Sequence, residues 1–264
     1  SDAFGNCSSL TTVDISMTDS SLSSIGSYAF YNCNDLSQIT IPNNVINIGI
    51  NPFNDCTSLT TINISNDIFS LDGSRCLIDI SNDNIISYLI ASPDTSYSIP
   101  DSVKTIGVNA FQNSGLTHIT IPNSVKNIGS EAFAYCTSLT AVIFGLSCED
   151  ISFGNAAFNG VNPDISFWYP SSISGATLTG FQNKVIKDNN DLSYSNFRPY
   201  LSRSEILELS DSNLYYNTIL NQNFYDWNKV QIHSSTVTYT DISNLLYNLN
   251  EVILTSGITD ICDN

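Results

Sequence analysis

The stretch Ile39-Thr40-Ile41-Pro42-Asn43-Asn44-Val45-Ile46-Asn47-Ile48-Gly49-Ile50-Asn51-Pro52-Phe53-Asn54-Asp55-Cys56 decides the fold of this 264-residue chain. Counted from Leu36, its apolar positions step by 3, 2, 4 and 3 through Ile39, Ile41, Val45 and Ile48. Such steps fit neither a helix of period 3.6 nor a single strand of period 2. They fit a short strand, a turn and a second extended piece. Pro42 follows the strand directly and lacks a backbone donor, so the ladder stops there. Gly49 permits a corner into the segment carrying Phe53 and Cys56. One coil of a solenoid is the product.

Outward from this coil the pattern recurs. Phe stands three residues before Cys at Phe4/Cys7, Phe30/Cys33, Phe53/Cys56 and Phe133/Cys136, with Phe111/Ser114 and Phe158/Val161 as variants. Successive Phe residues are 26, 23, 58, 22 and 25 apart. The interval of 58 holds 35 extra residues between the equivalent positions Ile64 and Ile99, and without them it is 23. A period near 23 marks stacked units, each of which buries its apolar side only against its neighbours. Leu116, Ile119, Ile121, Val125 and Ile128 repeat the steps, and Pro100, Pro122, Gly26, Gly107 and Gly129 repeat the punctuation.

Cys7, Cys33, Cys56 and Cys136 take one equivalent place per coil and are expected to form a column of buried free thiols. Ser114 and Val161 at the same place show that sulfur is not required. Neighbouring coils bring such residues close, which leaves a disulfide open. Cys76, Cys148 and Cys262 lie outside the register, and a total of 7 is no disulfide framework. In the insertion, residues 65–99, Asp72-Gly73 signals a turn, and the runs Cys76 to Ile80 and Ile85 to Ile90 flank the polar Ser81 to Asn84. This reads as a hairpin that protrudes from the solenoid.

Only 12% of the residues are charged, and 25 acidic against 8 basic side chains leave a formal charge of -17. That balance disfavours nucleic acid and anionic membrane surfaces as partners. No apolar run approaches the 18 or so residues of a membrane span, and no basic start precedes an apolar run. The chain opens inside a repeat, at Ala3-Phe4, as an excised or processed piece would.

The combination Ile-Gly-x-x-Ala-Phe-x-x-Cys-x-x-Leu-x-x-Ile-x-Ile-Pro-x-x-Val, with an Asp72-Gly73 insert returning at Ile99-Pro100-Asp101-Ser102-Val103, resembles the BspA-type leucine-rich repeat family over about residues 1–180. The resemblance implies a curved leucine-rich-repeat solenoid, α/β to mainly β, with 22–26 residues per repeat. It also implies an extracellular or cell-surface protein devoted to adhesion or host-factor binding rather than catalysis. Such proteins occur in bacteria and some protozoa, with relatives in large viruses. A rigid spacer or an assembly subunit of a cell surface or virion is the alternative.

After Phe144 the repeats weaken. Trp168-Tyr169-Pro170 replaces the regular strand and reads as a terminal coil or cap. Residues 181–248 show no 23-residue pattern and read as an irregular, partly helical bridging segment. Ser202 to Glu205 has the spacing of a capping box before Ile206, Leu207 and Leu209. Leu249, Val252, Leu254, Ile258 and Ile261 step again by 3, 2, 4 and 3, so a further repeat is expected over 249–264.

Parts for chemistry are few. His118 and His233 lie far apart in sequence, and no nucleophile elbow, phosphate loop or zinc-binding helix motif occurs. The pairs Asp188/Asp191 and Asp79/Asp83 lack the ligand series of a calcium loop. No catalytic residue, cofactor or metal is therefore expected. What remains is the concave sheet between the core positions: Thr12 and Asp14, Gln38 and Thr40, Thr61 and Asn63, His118 and Thr120, Ala141 and Ile143. These form a neutral, shallow platform for a protein or glycan. Ser81 to Asn84 at the hairpin tip is a second contact surface, and Phe224, Tyr225 and Trp227 read as core.

Overall fold

The computed structural model describes residues 2–13, 15, 22–73, 75–170, 172–189 and 192–200, and beyond them five strands. Residues Ser1–Pro199 form one compact unit and Tyr200–Asn264 a second. In the first unit the coils build two ladders of parallel strands. The strands Thr12–Val13, Gln38–Ile41 and Thr61–Ile64 form one sheet of the first ladder. Ser96–Ser98, His118–Ile121, Ala141–Phe144 and Ser166–Pro170 form the other, with Phe197–Tyr200 at its edge. The second ladder pairs Ser24–Ile25 with Asn47–Ile48, and runs from Asn84–Tyr88 through Thr105–Ile106 and Asn127–Ile128 to Ser152–Phe153. Register stacks like on like: Ile39 faces Ile62, and Ile41 faces Ile64. Alternation puts Ile39 and Ile41 in the core and leaves Gln38 outside, as a strand period of 2 requires.

The Phe-x-x-Cys segments form a third column. Phe4, Phe30 and Phe53 stack with centroids 5.3 and 5.7 Å apart, and Phe111, Phe133 and Phe158 with centroids 5.1 and 5.0 Å apart. These spacings are close to the separation of neighbouring strands, about 4.8 Å. The residues two before and two after each Phe have positive φ: Tyr28 and Asn32 around Phe30, Asn51 and Asp55 around Phe53, Asn109 and Asn113 around Phe111. With this geometry three backbone N–H groups of the loops at Phe4, Phe30, Phe111 and Phe133 point to the following coil. Tyr28, Phe30 and Asn32 donate to the carbonyls of Ile50, Pro52 and Asn54, and Asn109, Phe111 and Asn113 to those of Ser130, Ala132 and Ala134. The thiols point the other way. Cys33 donates to the Phe4 carbonyl at 3.1 Å, Cys56 to that of Phe30 at 3.0 Å and Cys136 to that of Phe111 at 3.0 Å.

Cys33, Cys56 and Cys136 are thus buried free thiols, but Cys7 is exposed, against expectation, because no described coil covers it. Burial pushes the Cys56 thiol up to about 12 and that of Cys136 to about 11. At the corners, glycine is required by close approach. A Cβ on Gly154 would lie 2.3 Å from the Ser130 nitrogen, and one on Gly129 2.6 Å from that of Val108.

The insertion does not protrude. It is a three-stranded meander, Phe69–Asp72, Cys76–Asp79 and Asn84–Tyr88, whose last strand joins the second ladder beside Thr105–Ile106. Cys76, Ile78, Ile85 and Tyr88 belong to the apolar core built with residues 97–197. Phe69, Leu77, Ile86 and Leu89 belong to a separate core shared with residues 25–62. Side chains that alternate between two cores make the meander a partition, which is why its strands are apolar on both faces. Tyr88 enters the aromatic column, its ring 5.3 Å from Phe111. Side chains bridge the coils on either side of the partition: Asn51 Nδ2 donates to the Asn109 carbonyl at 2.6 Å, Ser87 Oγ to Asn51 Oδ1 at 2.6 Å, and Asn113 Nδ2 to Asp55 at 2.8 Å.

Past Phe158 the strand Ser166–Pro170 continues the first ladder, and the helix Gly175–Ile186 follows. Its Phe181 and Val185 are buried, with Phe181 edge-on to Phe144 at 5.1 Å. Lys184 donates to the carbonyls of Glu149 at 2.7 Å and Ile151 at 3.3 Å, groups a further strand would otherwise engage.

The first unit extends to Pro199, beyond the expected boundary at 180. In the second unit Leu207–Leu209, Lys229–Ile232 and Glu251–Leu254 form a parallel sheet, and Thr236–Thr238 pairs in parallel with Asp260–Cys262. Leu207 faces Val230, and Val230 faces Val252, offsets of 23 and 22 residues. The stretch expected to be irregular and partly helical takes in the end of the helix Gly175–Ile186 and a short turn of helix at Tyr194–Asn196, but it also carries repeat-spaced strands, and Leu207 and Leu209 lie in one of them. The capping box at Ser202 to Glu205, His233, and the cluster Phe224, Tyr225 and Trp227 fall outside the described residues.

Candidate binding face

The outward row of the first ladder is set by strand register. Thr12 faces Gln38, and Gln38 faces Thr61; Thr40 faces Asn63. Thr12, Gln38, Thr61 and Asn63 are exposed, and Thr40 is half-buried. In the second half His118 stands between Ser96 and Ala141, and Thr120 between Ser98 and Ile143. His118, Thr120 and Ile143 are half-buried rather than free in solvent. Ala141 corrects the expectation outright at 3% exposure: its methyl group sits between the longer His118 and Ser166 in register and is covered by them. Asp14 lies outside the described residues.

His118 Nδ1 is 2.7 Å from Thr117 Oγ1, and burial pushes the imidazole below its ordinary range, toward the neutral form. The row therefore presents hydroxyls, amides and an imidazole.

The two sheets of this face are not bonded to each other, and the gap between Thr61–Ile64 and Ser96–Ser98 opens into a cleft of about 450 Å³. The meander's first turn, where Gly73 has φ +62°, forms one wall. Residues Ala91 to Asp94 and Thr60 form the others. Arg75 binds Asp94 through two nitrogens, Nε to Oδ2 at 2.6 Å and Nη2 to Oδ1 at 3.2 Å. Ser92 Oγ donates to Asp94 Oδ2 at 2.8 Å, and the Tyr97 hydroxyl to Asp72 Oδ2 at 2.7 Å. Burial raises the Tyr97 phenol above its ordinary range, with the nearby Cys76 adding to the effect. Sequence reading took Asp72-Gly73 only as a turn and missed this cluster. Arg75, one of 8 basic side chains in the chain, was the available signal.

Asp79 and Asp83, weighed for calcium, are engaged locally. Burial pushes the Asp79 carboxyl up, but hydrogen bonds from Ser81 and Asn82 outweigh it and hold the group below its ordinary value. Asp83 pairs with Lys104 at 2.6 Å. Among the described residues no three His, Cys, Asp or Glu side chains gather in a way that could hold a metal. No helix there is long and apolar enough to cross a membrane.

No curated protein matches the chain. Solved structures similar to it include a leucine rich cell surface protein from Faecalibacterium prausnitzii A2-165, 23% identical, with a TM-score of 0.49 over 77% of this chain and 63% of that one. A leucine-rich repeat protein from Eubacterium ventriosum is 21% identical, with a TM-score of 0.43 over 72% of this chain and 55% of that one. The pneumococcal vaccine antigen PcpA is 18% identical, with a TM-score of 0.46 over 94% of this chain and 68% of that one. The chain thus spans less than two thirds of the first two. The model of the BspA type leucine rich repeat region matches in six copies, over residues 1–87 and 91–203. With most of its length matched, and with two parallel ladders and a Phe-x-x-Cys column repeating at that period, the chain belongs to the BspA-type leucine-rich repeat family.

Proposed function

We propose that this chain is a non-catalytic interaction module of a cell-surface or secreted protein, which binds a partner protein through the outward row of its first ladder. The observation that supports this most directly is the row itself. Gln38, Thr40, Thr61, Asn63, His118 and Thr120 lie in register on parallel strands, short and uncharged, where a rigid sheet holds them for recognition. A formal charge of -17 favours partners that are basic or neutral.

The test replaces Thr40, Thr61 and Thr120 by Glu, singly and together. Capture of extracellular proteins by the wild-type chain, identified by mass spectrometry, is expected to fall at least tenfold in the triple variant with unchanged melting. Equal replacements at Asn47, Asn127 and Ser152, on the second ladder, are expected to leave capture intact. Undiminished capture by the folded triple variant removes the first ladder as the binding surface.

A further inference from the structure

Among the described cysteines, one pair of neighbours in the thiol column joins an exposed member to a buried one. Cys7 is exposed and Cys33 is fully buried, one coil apart at the same register position. We propose that these two cysteines are a site of thiol–disulfide exchange, at which a small organic disulfide oxidises the pair and leaves their two coils joined by a Cys7–Cys33 bond.

The geometry of the pair is set by its equivalent further along the chain. Asp2, Phe4 and Asn6 donate their N–H groups to the carbonyls of Ser27, Ala29 and Tyr31, just as Asn109, Phe111 and Asn113 donate to those of Ser130, Ala132 and Ala134. The Phe4 carbonyl accepts both the Cys7 N–H at 3.2 Å and the Cys33 thiol at 3.1 Å. The Phe111 carbonyl accepts the Ser114 N–H at 3.0 Å and the Cys136 thiol at 3.0 Å. Bond for bond, Cys7 stands to Cys33 as Ser114 stands to Cys136. In that second pair Ser114 Oγ is 3.2 Å from Cys136 Sγ. A side chain in the place of Cys7 can therefore bring its γ atom into contact with the sulfur of the next coil. Loops bonded at the spacing of neighbouring strands, about 4.8 Å, also fall within the Cα separation of a disulfide, about 4.4–6.8 Å.

Access decides which pair reacts. Cys33 and Cys56 share the register geometry, with the Cys56 thiol on the Phe30 carbonyl at 3.0 Å, but both are buried and a small disulfide reaches neither. At Cys7 the thiolate attacks one sulfur of the incoming RS–SR, forming Cys7–S–SR and releasing RS⁻, which takes up the proton that Cys7 lost. Cys33 then attacks the Cys7 sulfur, and the second RS⁻ departs with the Cys33 proton. Two protein thiols are oxidised and one RS–SR is reduced to two RSH. The second step needs no solvent access, because the Cys33 thiol already lies against the coil of Cys7. Loss of its proton strands no acceptor, since the Phe4 carbonyl keeps the Cys7 N–H. The bond holds Phe4, 45% exposed and stacked on Phe30, to the coil that follows.

The experiment incubates the reduced, folded chain with oxidised glutathione at pH 8, traps free thiols with iodoacetamide and maps the peptides by mass spectrometry. The expected product is a monomer with a Cys7–Cys33 linkage and at least tenfold less of the Cys7–glutathione mixed disulfide. Cys33→Ser is expected to stop at the mixed disulfide, and Cys7→Ser to leave Cys33 and Cys56 unmodified. Both variants place Ser where Ser114 already fits the register, so they keep the fold. Closure is also expected to slow amide hydrogen exchange of residues 2–13 at least tenfold, an effect absent from Cys33→Ser. Three results overturn the proposal: folded wild-type chain that stops at the mixed disulfide, Cys7 linked between two chains, or Cys33 paired with Cys56 instead.

Discussion

Cys56 shows how one atom type marks the repeat. Its thiol donates to the Phe30 carbonyl across a coil boundary at 3.0 Å, and burial raises it to about 12. Below pH 9 both folded and unfolded chains keep the proton, and this contribution to stability is complete. As pH climbs from 9 toward 12 the unfolded thiol ionises and the buried one does not, so stability falls, by up to about 1.4 kcal/mol per pH unit per thiol. Denaturant midpoints measured from pH 7 to 10.5 are expected to be flat and then to decline. Cys56→Ser should reduce the decline, since Ser114 already fills the same register. Iodoacetamide mapping at pH 8 should label Cys7 and spare Cys33, Cys56, Cys76, Cys136 and Cys148 until the chain unfolds. The Phe and Cys columns were legible because one side chain recurs at one place. The left-handed positions were legible too and went unread: Asn6, Asn32, Asp55 and Asn113 each stand two residues after a Phe, and Asn and Asp tolerate positive φ best among non-glycine residues.

At the scale of elements, coils approach so closely that corner glycines act as spacers. Gly154→Ala drives a Cβ to 2.3 Å from the Ser130 nitrogen and is expected to cost about 1–3 kcal/mol or more, whereas Gly115→Ala meets nothing within 4 Å and should be nearly neutral by chemical denaturation. The meander invites a similar contrast. Ile85→Ala removes a fully buried side chain and is expected to cost about 2–5 kcal/mol; Ile80→Ala, at 48% exposure, should cost far less. A protruding hairpin would tolerate both. Cys76-Leu77-Ile78 and Ile85-Ile86 are continuous apolar runs, the mark of strands buried on both faces, and that signal outweighs the polar turn at Ser81 to Asn84 that suggested protrusion. Ala141 misled for a different reason. Its position in the strand is outward, but a methyl group between longer neighbours is covered, and coverage depends on the coils above and below rather than on its own coil.

Over the whole molecule, repulsion among 25 acidic side chains opposes folding, and three ion pairs among the described residues offset little of it. Salt shortens the reach of that repulsion, to about 8 Å at 0.15 M. Melting temperature is therefore expected to rise between 10 and 150 mM sodium chloride, followed by calorimetry; a fall would mean that attractive pairs dominate. The first unit was legible at this scale because Phe recurs in every coil, and Pro and Gly in several of them. Val252 and Leu254 were legible as a further repeat from their apolar steps, whereas Leu207 and Val230 keep the same spacing without that punctuation, so the strands before residue 249 were hidden although their apolar triplets were in plain view. The cleft was hidden more deeply, since Asp72, Arg75 and Asp94 meet only once the meander closes against the loop before Ser96.

The loops around Phe4, Phe30, Phe111 and Phe133 hand their three N–H groups forward to the next coil, in the same sense on both sides of the partition. Such stacked peptide dipoles do not cancel. The Phe-x-x-Cys column therefore has direction, like an arrow, with carbonyls toward the tail and amides toward the head. Two copies meeting tip to tip about a twofold axis would set like groups against each other. Copies following one another in a single file would turn amides toward carbonyls, so head-to-tail contacts along this column match and tip-to-tip ones do not.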